Sequence, residues 1–324
     1  MNLKQLAQIT GVSISTVSKI FSGSEEISEQ TKKIVLDKAK ELGIFDKYNK
    51  NKYEKKLIVV ICPELKSEYY TSILSIFNKV LIDKNCTMSV SVSGFSISME
   101  NELISLYSSG SRADGIIVID GQTKGKKNAN IPLVYINSDE NRYSDSISVD
   151  FYSGIYEAIK HLRNCGHKKI GFIGETLTKD KERLFTKAMN QCGLQIDNSL
   201  IVVDKNRFED AGFNAIKKLY DNNNLPTAIL CGYDNIAYGV INFMETHSLT
   251  MPDDISIIGI DDIKSSSVKK ISLSSIKANY EYICEIALEL LLKKINNPHY
   301  KIIQTINVKS EFINRASVKD ISSK

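Results

Sequence analysis

Residues 3–23 constrain the fold of this chain more than any other stretch, because they combine the patterns of two short helices with a tight turn. They read LKQLAQITGVSISTVSKIFSG. Leu3, Leu6 and Ala7 recur at the i, i+3, i+4 spacing of one helical face. Gly11 stands where the chain must reverse, since glycine adopts a positive φ at little cost. The segment therefore predicts a helix, a turn and a second helix.

The second helix is predicted to begin after Ser13, a residue type that caps helix N-termini. Val17 and Ile20 would point inward. The exposed start of the helix would then carry Ile14, Ser15, Thr16 and Lys19. This is the pattern of a helix-turn-helix, whose second helix enters the major groove with its first residues against base edges. A helical hairpin packed on a core is the alternative interpretation.

A third helix is predicted to begin after Ser28 and to end before Gly43, the residue type that favours a helix stop. One of its faces repeats Thr31, Val35 and Ala39. This helix would complete a three-helix headpiece. Ser28 can cap the helix and also contact a phosphate, since helix N-termini attract anions.

The excess positive charge is confined to the beginning of the chain. The 324 residues hold 42 basic and 38 acidic side chains, a formal net charge of +4. Residues 1–56 contain 11 Lys and 7 acidic residues, and the remainder contains 31 of each sign. Binding to phosphates needs such a basic segment. Because the excess is small, we expect moderate affinity per monomer and a dependence on dimerisation.

Composition and motifs exclude several other classes. The apolar fraction is 42% and no apolar run approaches the roughly 18 residues of a membrane span. The polar start of the sequence lacks a signal segment, so we expect a cytoplasmic protein without a membrane partner. The six cysteines are scattered, which favours reduced, buried thiols over disulfides or a metal site. Sequence motifs of phosphate-binding, dinucleotide-binding, hydrolase or metalloprotease sites are missing, so we expect no catalytic residues and no cofactor.

Beyond residue 56 the sequence alternates between apolar strands and amphipathic helices, the pattern of parallel sheets covered on both faces. The predicted strands are 57–63, 87–93, 115–120, 133–137, 169–174, 200–203, 227–231, 255–260 and 302–308. The predicted helices are 70–84, 98–109, 153–164, 180–192, 209–221, 235–247 and 280–296. The pattern restarts after about residue 150, which indicates two lobes.

The sequence resembles the lactose/galactose repressor (LacI/GalR) family over essentially its whole length. The beginning carries Leu-x-x-Leu-Ala-x-x-x-Gly-Val-Ser-x-x-Thr-Val-Ser-Lys, and an ordered series of short landmarks follows. The landmarks are residues 166–170, 226–228, 252–256, 259–262, 273–276 and 314–317.

The resemblance implies an α/β protein with a helix-turn-helix headpiece and a two-lobed core like that of periplasmic binding proteins. We expect the headpiece at residues 1–45, a basic linker at 46–56 and an effector-binding core at 57–324. The N-lobe would hold about 57–149 and 278–306, and the C-lobe about 150–276 and 308–315. The implied DNA-binding residues are Ser13, Ile14, Ser15, Thr16, Lys19, Ser28 and Thr31.

The linker departs from the family pattern. Residues 46–56 lack the family's usual hinge-helix sequence and its apolar wedge for the minor groove. Tyr48 and Tyr53 are the available substitutes for such a wedge. We expect a flexible basic tether here.

An effector is expected in the cleft between the lobes, beyond the carboxyl ends of the strands. Aromatic surfaces with carboxylate, amide or cationic groups suit sugars. The candidate residues are Tyr69, Tyr70, Asn137, Lys181, Phe208, Tyr233, Asp261 and Tyr280. Each has a structural alternative, such as a core aromatic or a turn cap.

Two of these positions differ from related chains. Lys181 stands where they carry an arginine, and Tyr233-Asp234 replaces a common Asn-Asp pair. A lysine cannot present the forked donors of a guanidinium. The ligand class therefore carries over from the family better than its identity does, and Tyr69-Tyr70 resembles the subgroup that senses galactosides.

Together these features predict a repressor of carbohydrate utilisation that binds operator DNA as a homodimer and responds to a sugar. The tail after Arg315 lacks the leucine heptads of a four-chain bundle, which favours a dimer. The alternative is a cytosolic sugar-binding protein without DNA function, which the helix-turn-helix argues against.

Overall fold

The computed structural model describes residues 2–21, 24, 26–48, 55–109, 113–122, 129–138, 143–263, 266 and 272–322. The chain divides into two compact units. Unit 1 comprises residues 1–65, 74–146 and 284–304, and unit 2 comprises residues 66–73, 147–283 and 305–324.

The chain begins with a small helical headpiece. Its helices are α1 (Leu3–Thr10), α2 (Ile14–Phe21), α3 (Glu29–Glu41) and α4 (Phe45–Tyr48). Gly11 ends α1 with φ 70°, as the predicted turn requires. The Oγ atoms of Ser13 and Ser28 accept hydrogen bonds from backbone N–H groups three residues on, at 3.0 and 3.3 Å, so the predicted caps of α2 and α3 are confirmed.

The headpiece has its own apolar core. Its buried residues are Leu6, Ala7, Val17, Ile20, Phe21, Val35, Ala39 and Ile44. The inward positions of Val17 and Ile20 are thereby confirmed. These contacts stabilise helices that are too short to persist alone in water.

The start of the linker differs from the sequence prediction. A fourth short helix, α4, occupies part of it, and the Tyr48 ring lies 5.9 Å from the ring of Phe21. Tyr48 therefore packs against the headpiece core, and its role as a substitute for the wedge stays a prediction. Tyr53 lies outside the described residues.

The first sheet has the strand order β11-β5-β4-β3-β1-β2. Its strands are β1 (Lys56–Cys62), β2 (Cys86–Val92), β3 (Gly115–Ile119), β4 (Leu133–Ile136), β5 (Asp145–Asp150) and β11 (Thr305–Lys309). The helices of this part of the chain are α5 (Glu68–Asp83), α6 (Ile97–Ser108) and α11 (Tyr280–Asn296). β3 and β4 are buried along their whole length, as expected for strands covered on both faces.

The second sheet has the strand order β12-β10-β9-β8-β6-β7. Its strands are β6 (Ile170–Glu175), β7 (Ile201–Asp204), β8 (Ala228–Cys231), β9 (Ser256–Ile260), β10 (Ser274–Lys277) and β12 (Glu311–Ile313). The accompanying helices are α7 (Phe151–Asn164), α8 (Lys179–Gln191), α9 (Phe208–Asp221) and α10 (Asp234–Thr246). Strands β7, β6, β8, β9 and β10 pair in parallel, and β12 runs antiparallel to β10.

The predicted α/β class with two doubly wound sheets is confirmed, and each long apolar strand lies within one residue of its expected start. Two polar strands, β5 and β10, were not predicted as strands. The strand expected at residues 302–308 begins only at Thr305. Within the described residues, we find no helix with both the length and the apolar character needed to cross a bilayer.

Candidate functional site

The start of α2 presents a compact group of polar and apolar side chains to solvent. Ile14 is 47% exposed. The Ser13 hydroxyl lies 2.7 Å from that of Ser15 and 2.8 Å from that of Thr16. Lys19 follows Ser15 by one helical turn and therefore lies on the same face. This face offers a methyl-rich side chain, hydroxyls and one cation, which together can contact base edges.

The start of α3 supplies a second polar group. Ser28 and Thr31 bring their hydroxyl oxygens to 2.8 Å from each other. The helix N-terminus adds backbone N–H groups with a partial positive charge. These groups suit a phosphate, which remains the predicted role of both residues.

In unit 2, the parallel strands β6, β7, β8 and β9 end at one edge of the second sheet, and we call the side chains gathered there the edge site. Lys181, from α8, lies at its centre. Its Nζ atom donates to the carbonyl oxygen of Gly232 at 2.9 Å and lies 3.4 Å from Oδ1 of Asp261. The same atom lies 5.0 Å from the ring centre of Phe151 and 5.9 Å from that of Tyr233. An ammonium, a carboxylate and two aromatic rings thus meet at one point.

Asp261 follows β9 in a strained conformation. Its φ of 100° and the φ of 49° at Asp262 lie in the left-handed region that non-glycine residues rarely adopt. Burial raises the pKa of the Asp261 carboxyl, and the nearby Lys181 acts in the opposite direction. Asp262 forms an ion pair with Arg315, whose Nη1 atom lies 2.7 Å from Oδ1 of Asp262. Strain of this kind persists where surrounding contacts hold it, often at binding sites.

Tyr233 connects the edge site to a buried acid. Its hydroxyl donates to Oε1 of Glu175 at 3.2 Å and accepts the backbone N–H of Phe208 at 3.0 Å. Burial raises the pKa of the Tyr233 hydroxyl above its ordinary value. Glu175 is fully buried, and Nε of Arg207 lies 3.5 Å from its Oε1 atom. The Arg207 guanidinium also lies 4.5 Å from the ring centre of Phe208.

Three tyrosines form a separate group in unit 2. The hydroxyl of Tyr280 donates to that of Tyr69 at 3.1 Å, and their rings meet edge to face at 5.4 Å. The ring of Tyr70 lies 4.8 Å from that of Tyr69. Tyr70 and Tyr280 are buried and Tyr69 is partly exposed. These rings can supply an apolar surface with a polar rim.

Asn137 belongs to unit 1, where it follows β4 with φ 53°. It shares this left-handed conformation with Asp120, which follows β3. The ends of two neighbouring parallel strands thus carry polar side chains on strained backbone.

The Asp234 carboxylate accepts three hydrogen bonds from two segments of unit 2. Its carboxylate accepts hydrogen bonds from the N–H of Ile263 at 3.0 Å and from the hydroxyls of Ser266 and Ser275, both at 2.6 Å. Burial raises the pKa of Asp234 to about 7, and the three hydrogen bonds oppose that rise. Asp234 thereby links Ile263 and Ser266, which follow Asp261, to β10.

Sequence reasoning missed Glu175, Arg207 and Phe151, and it noted Asp234 only as part of an altered pair. Glu175 ends a predicted strand, and an acid at a strand end is a usable signal. Arg183, two residues after Lys181, is 75% exposed and pairs with Asp180, so it lies away from the edge site.

Comparisons with known proteins find a ligand-binding domain model and bacterial regulatory proteins that are similar to this chain. A family model described as a periplasmic binding protein-like domain matches residues 159–318. The catabolite control protein A of Priestia megaterium is 27% identical and covers 91% of this chain and 93% of its own. The HTH-type transcriptional repressor PurR of Haemophilus influenzae is 29% identical, with coverage of 98% and 99%.

Solved structures share the fold. A lac repressor dimer bound to operator and an anti-inducer superimposes with a TM-score of 0.73 at 19% identity, covering 98% of this chain and 99% of that one. A complex of the transcriptional regulator CelR with cellobiose gives a TM-score of 0.70 at 18% identity, with the same coverage.

Proposed function

The chain belongs to the LacI/GalR family of transcriptional regulators, and on that premise we propose that it represses carbohydrate-utilisation genes under the control of a small sugar bound by its core. The coarser function follows from the family: the protein is a DNA-binding regulator with a ligand-binding core and is not an enzyme. The operator, the sugar and the dimer belong to the proposal.

The DNA-binding part of the proposal is supported by the exposed start of α2. Ile14 and Ser15 open the helix, so we propose that they set the base preference. Lys19 lies one turn further along the same face. Ser28 and Thr31 sit at the start of α3, where a phosphate would meet hydroxyls and a helix N-terminus. Two such headpieces in a homodimer would match a palindromic operator.

The single observation that carries the sugar proposal is the meeting of Lys181, Asp261 and two aromatic rings at the edge site. Hydroxyl groups of a sugar can donate to the carboxylate and accept from the ammonium. The rings of Phe151 and Tyr233 can pack against its C–H face. A lysine provides point donors instead of a fork, so the hydroxyl pattern selected here should differ from that selected by an arginine.

Two further observations bear on the ligand class. The similar CelR structure is a complex with cellobiose, which favours a carbohydrate for this chain. The edge-to-face contacts of Tyr69 with Tyr70 and Tyr280 form an aromatic group that favours a ligand with an apolar face, such as a galactoside.

A thermal-shift screen of the full chain against mono- and disaccharides tests this proposal. A ligand that binds only the native state adds about 2.7 kcal/mol of stability at 100 times its Kd. We expect at least one sugar, a galactoside first, to raise Tm. We expect Asp261→Ala to abolish that shift while DNA binding persists.

The matched control is Asp253→Ala. Asp253 is also a carboxylate of unit 2 that pairs with a lysine, but it is 66% exposed at the surface. It should keep the wild-type response. A sugar shift that survives Asp261→Ala would remove Asp261 from the site, and a flat response to every sugar would contradict the carbohydrate assignment.

A further inference from the structure

The recognition face of the headpiece contains an acidic residue in contact with Lys19. Nζ of Lys19 donates to Oε2 of Glu26 at 2.6 Å, and the two side chains are 52% and 69% exposed. Glu26 lies in the turn between α2 and α3, two residues before the cap Ser28. It therefore stands between the proposed base-reading residues and the proposed phosphate contacts.

The contribution of the Lys19–Glu26 ion pair to folding stability is too small to explain its presence. An exposed ion pair contributes about 0–1 kcal/mol, because solvent screens it and two long side chains must be ordered. A carboxylate close to DNA phosphates would also oppose binding through charge repulsion. An acid at this position is favourable for DNA binding only if it meets a hydrogen-bond donor on the DNA.

The major groove offers such a donor beside two acceptors. A G·C pair presents guanine N7 and O6 as acceptors and the N4 amino group of cytosine as a donor. Lysine is a common partner of the guanine atoms, and glutamate accepts from cytosine N4. Guanine O6 and cytosine N4 are themselves hydrogen-bonded and thus lie about 2.9 Å apart. The 2.6 Å separation of Nζ and Oε2 is close to that spacing.

An A·T pair fits this donor–acceptor pair less well. When adenine replaces guanine, the N6 donor lies where guanine O6 accepted, and the thymine O4 acceptor lies where cytosine N4 donated. The ammonium would therefore meet a donor and the carboxylate an acceptor. In the opposite orientation, the ammonium would meet thymine O4 beside the methyl group instead of two acceptors. The hydrogen bond from Lys19 also lowers the pKa of the Glu26 carboxyl, so the acid remains an acceptor at neutral pH.

We propose that Lys19 and Glu26 together read one G·C pair in each operator half-site, with Lys19 donating to guanine and Glu26 accepting from cytosine N4. This inference rests on the proposed function as a DNA-binding regulator and assigns a specificity-determining role to Glu26. Lys19 then contacts a base instead of serving only as a phosphate contact.

The test compares operator selection by the wild type with selection by Glu26→Gln. The full-length proteins select sequences from a randomised duplex pool, and binding is then measured on the consensus and on single-pair replacements. Glu41→Gln is the matched control, since Glu41 is a 65% exposed acid of the same headpiece that pairs with Lys38. Both substitutions remove one negative charge.

For the wild type and Glu41→Gln, we expect replacement of one particular G·C pair by A·T to weaken binding by roughly 5- to 150-fold. For Glu26→Gln, that discrimination should fall several-fold at this pair and stay unchanged at the others. Substituting N4-methylcytosine for cytosine at the same pair should weaken the wild type and leave Glu26→Gln nearly unaffected.

Two results would overturn the inference alone. One is the same base preference for Glu26→Gln as for the wild type. The other is an equal gain in affinity on all sequences, which would make Glu26 a simple electrostatic brake. If the wild type enriches no sequence at all, the proposed function fails and the inference fails with it.

Discussion

The headpiece and the edge site assemble their functional residues in opposite ways. In the headpiece, the candidate residues lie between Ser13 and Thr31, on two short helices with local caps. In the edge site, Lys181 meets Gly232 and Asp261, which arrive from three separate segments of the chain. A local pattern specifies the first arrangement, whereas the second exists only after the sheet has formed.

The largest effect that separates the two regions should come from Gly239→Ala. A Cβ at Gly239 would lie 1.9 Å from the carbonyl oxygen of Glu209, so α9 and α10 would have to move apart. We expect a loss of about 3 kcal/mol in the stability of unit 2, at the upper end of the usual cost of overpacking. The stability is measured by denaturant unfolding followed by tyrosine fluorescence, since the chain contains no tryptophan.

The matched substitution in the headpiece is Gly11→Ala. Gly11 has φ 70°, and among the described residues other than its neighbours in the chain nothing lies within 4 Å of the Cβ position, so only backbone strain of about 1–2 kcal/mol is expected. If Gly11→Ala and Gly239→Ala lowered the stability of unit 2 equally, the headpiece and unit 2 would not differ in this way.

A smaller effect should appear in the pH dependence of unit 2. Burial raises the pKa of Asp234 from 3.8 to about 7 in the folded protein. The native state therefore binds a proton that the unfolded chain releases, and stability falls as the pH rises from about 4 to 7. This carboxyl contributes at most about 1.4 kcal/mol per pH unit.

Asp234→Asn should flatten this dependence, measured by denaturant unfolding at pH 4, 5, 6 and 7. Asp37→Asn, an exposed acid on α3, is the control and should keep the wild-type slope. An Asp234→Asn variant with the wild-type slope would show that other groups cause the dependence.

The smallest effect is expected from the cap of α2. Ser13→Ala removes the oxygen that accepts the Thr16 N–H, which should cost about 1 kcal/mol of local stability. Native-state hydrogen exchange of the headpiece amides is the measurement, with the exposed Ser18→Ala as control. If exchange in α2 is unchanged by Ser13→Ala, the cap does not stabilise this helix.

This difference between regions also explains how much the sequence could predict. Helix periodicity and capping residues located α1, α2 and α3, and continuous apolar runs located the buried strands. β5 and β10 were not predicted because their sequences are DSISVD and SSIK, in which polar residues replace most of the apolar run. Their pairing depends on neighbouring strands that are remote in sequence.

The same reason limits prediction of the edge site. Asp261 could be named because it follows a predicted strand, whereas Lys181 and Tyr233 were named because the family resemblance implies ligand contacts at their positions. Their mutual contacts, and the burial of Glu175 beneath Tyr233, result from the strand order of the second sheet. No spacing in the sequence encodes that order.

The most direct test of the account is the coupling between ligand and DNA. Fluorescence anisotropy would measure the Kd for a selected operator with and without a saturating sugar from the thermal-shift screen, and calorimetry would measure the sugar Kd with and without operator. Linkage requires both constants to change by the same factor, expected at about 5- to 150-fold, and Asp261→Ala should remove the change. An operator Kd that is identical with and without saturating sugar would contradict ligand control of DNA binding.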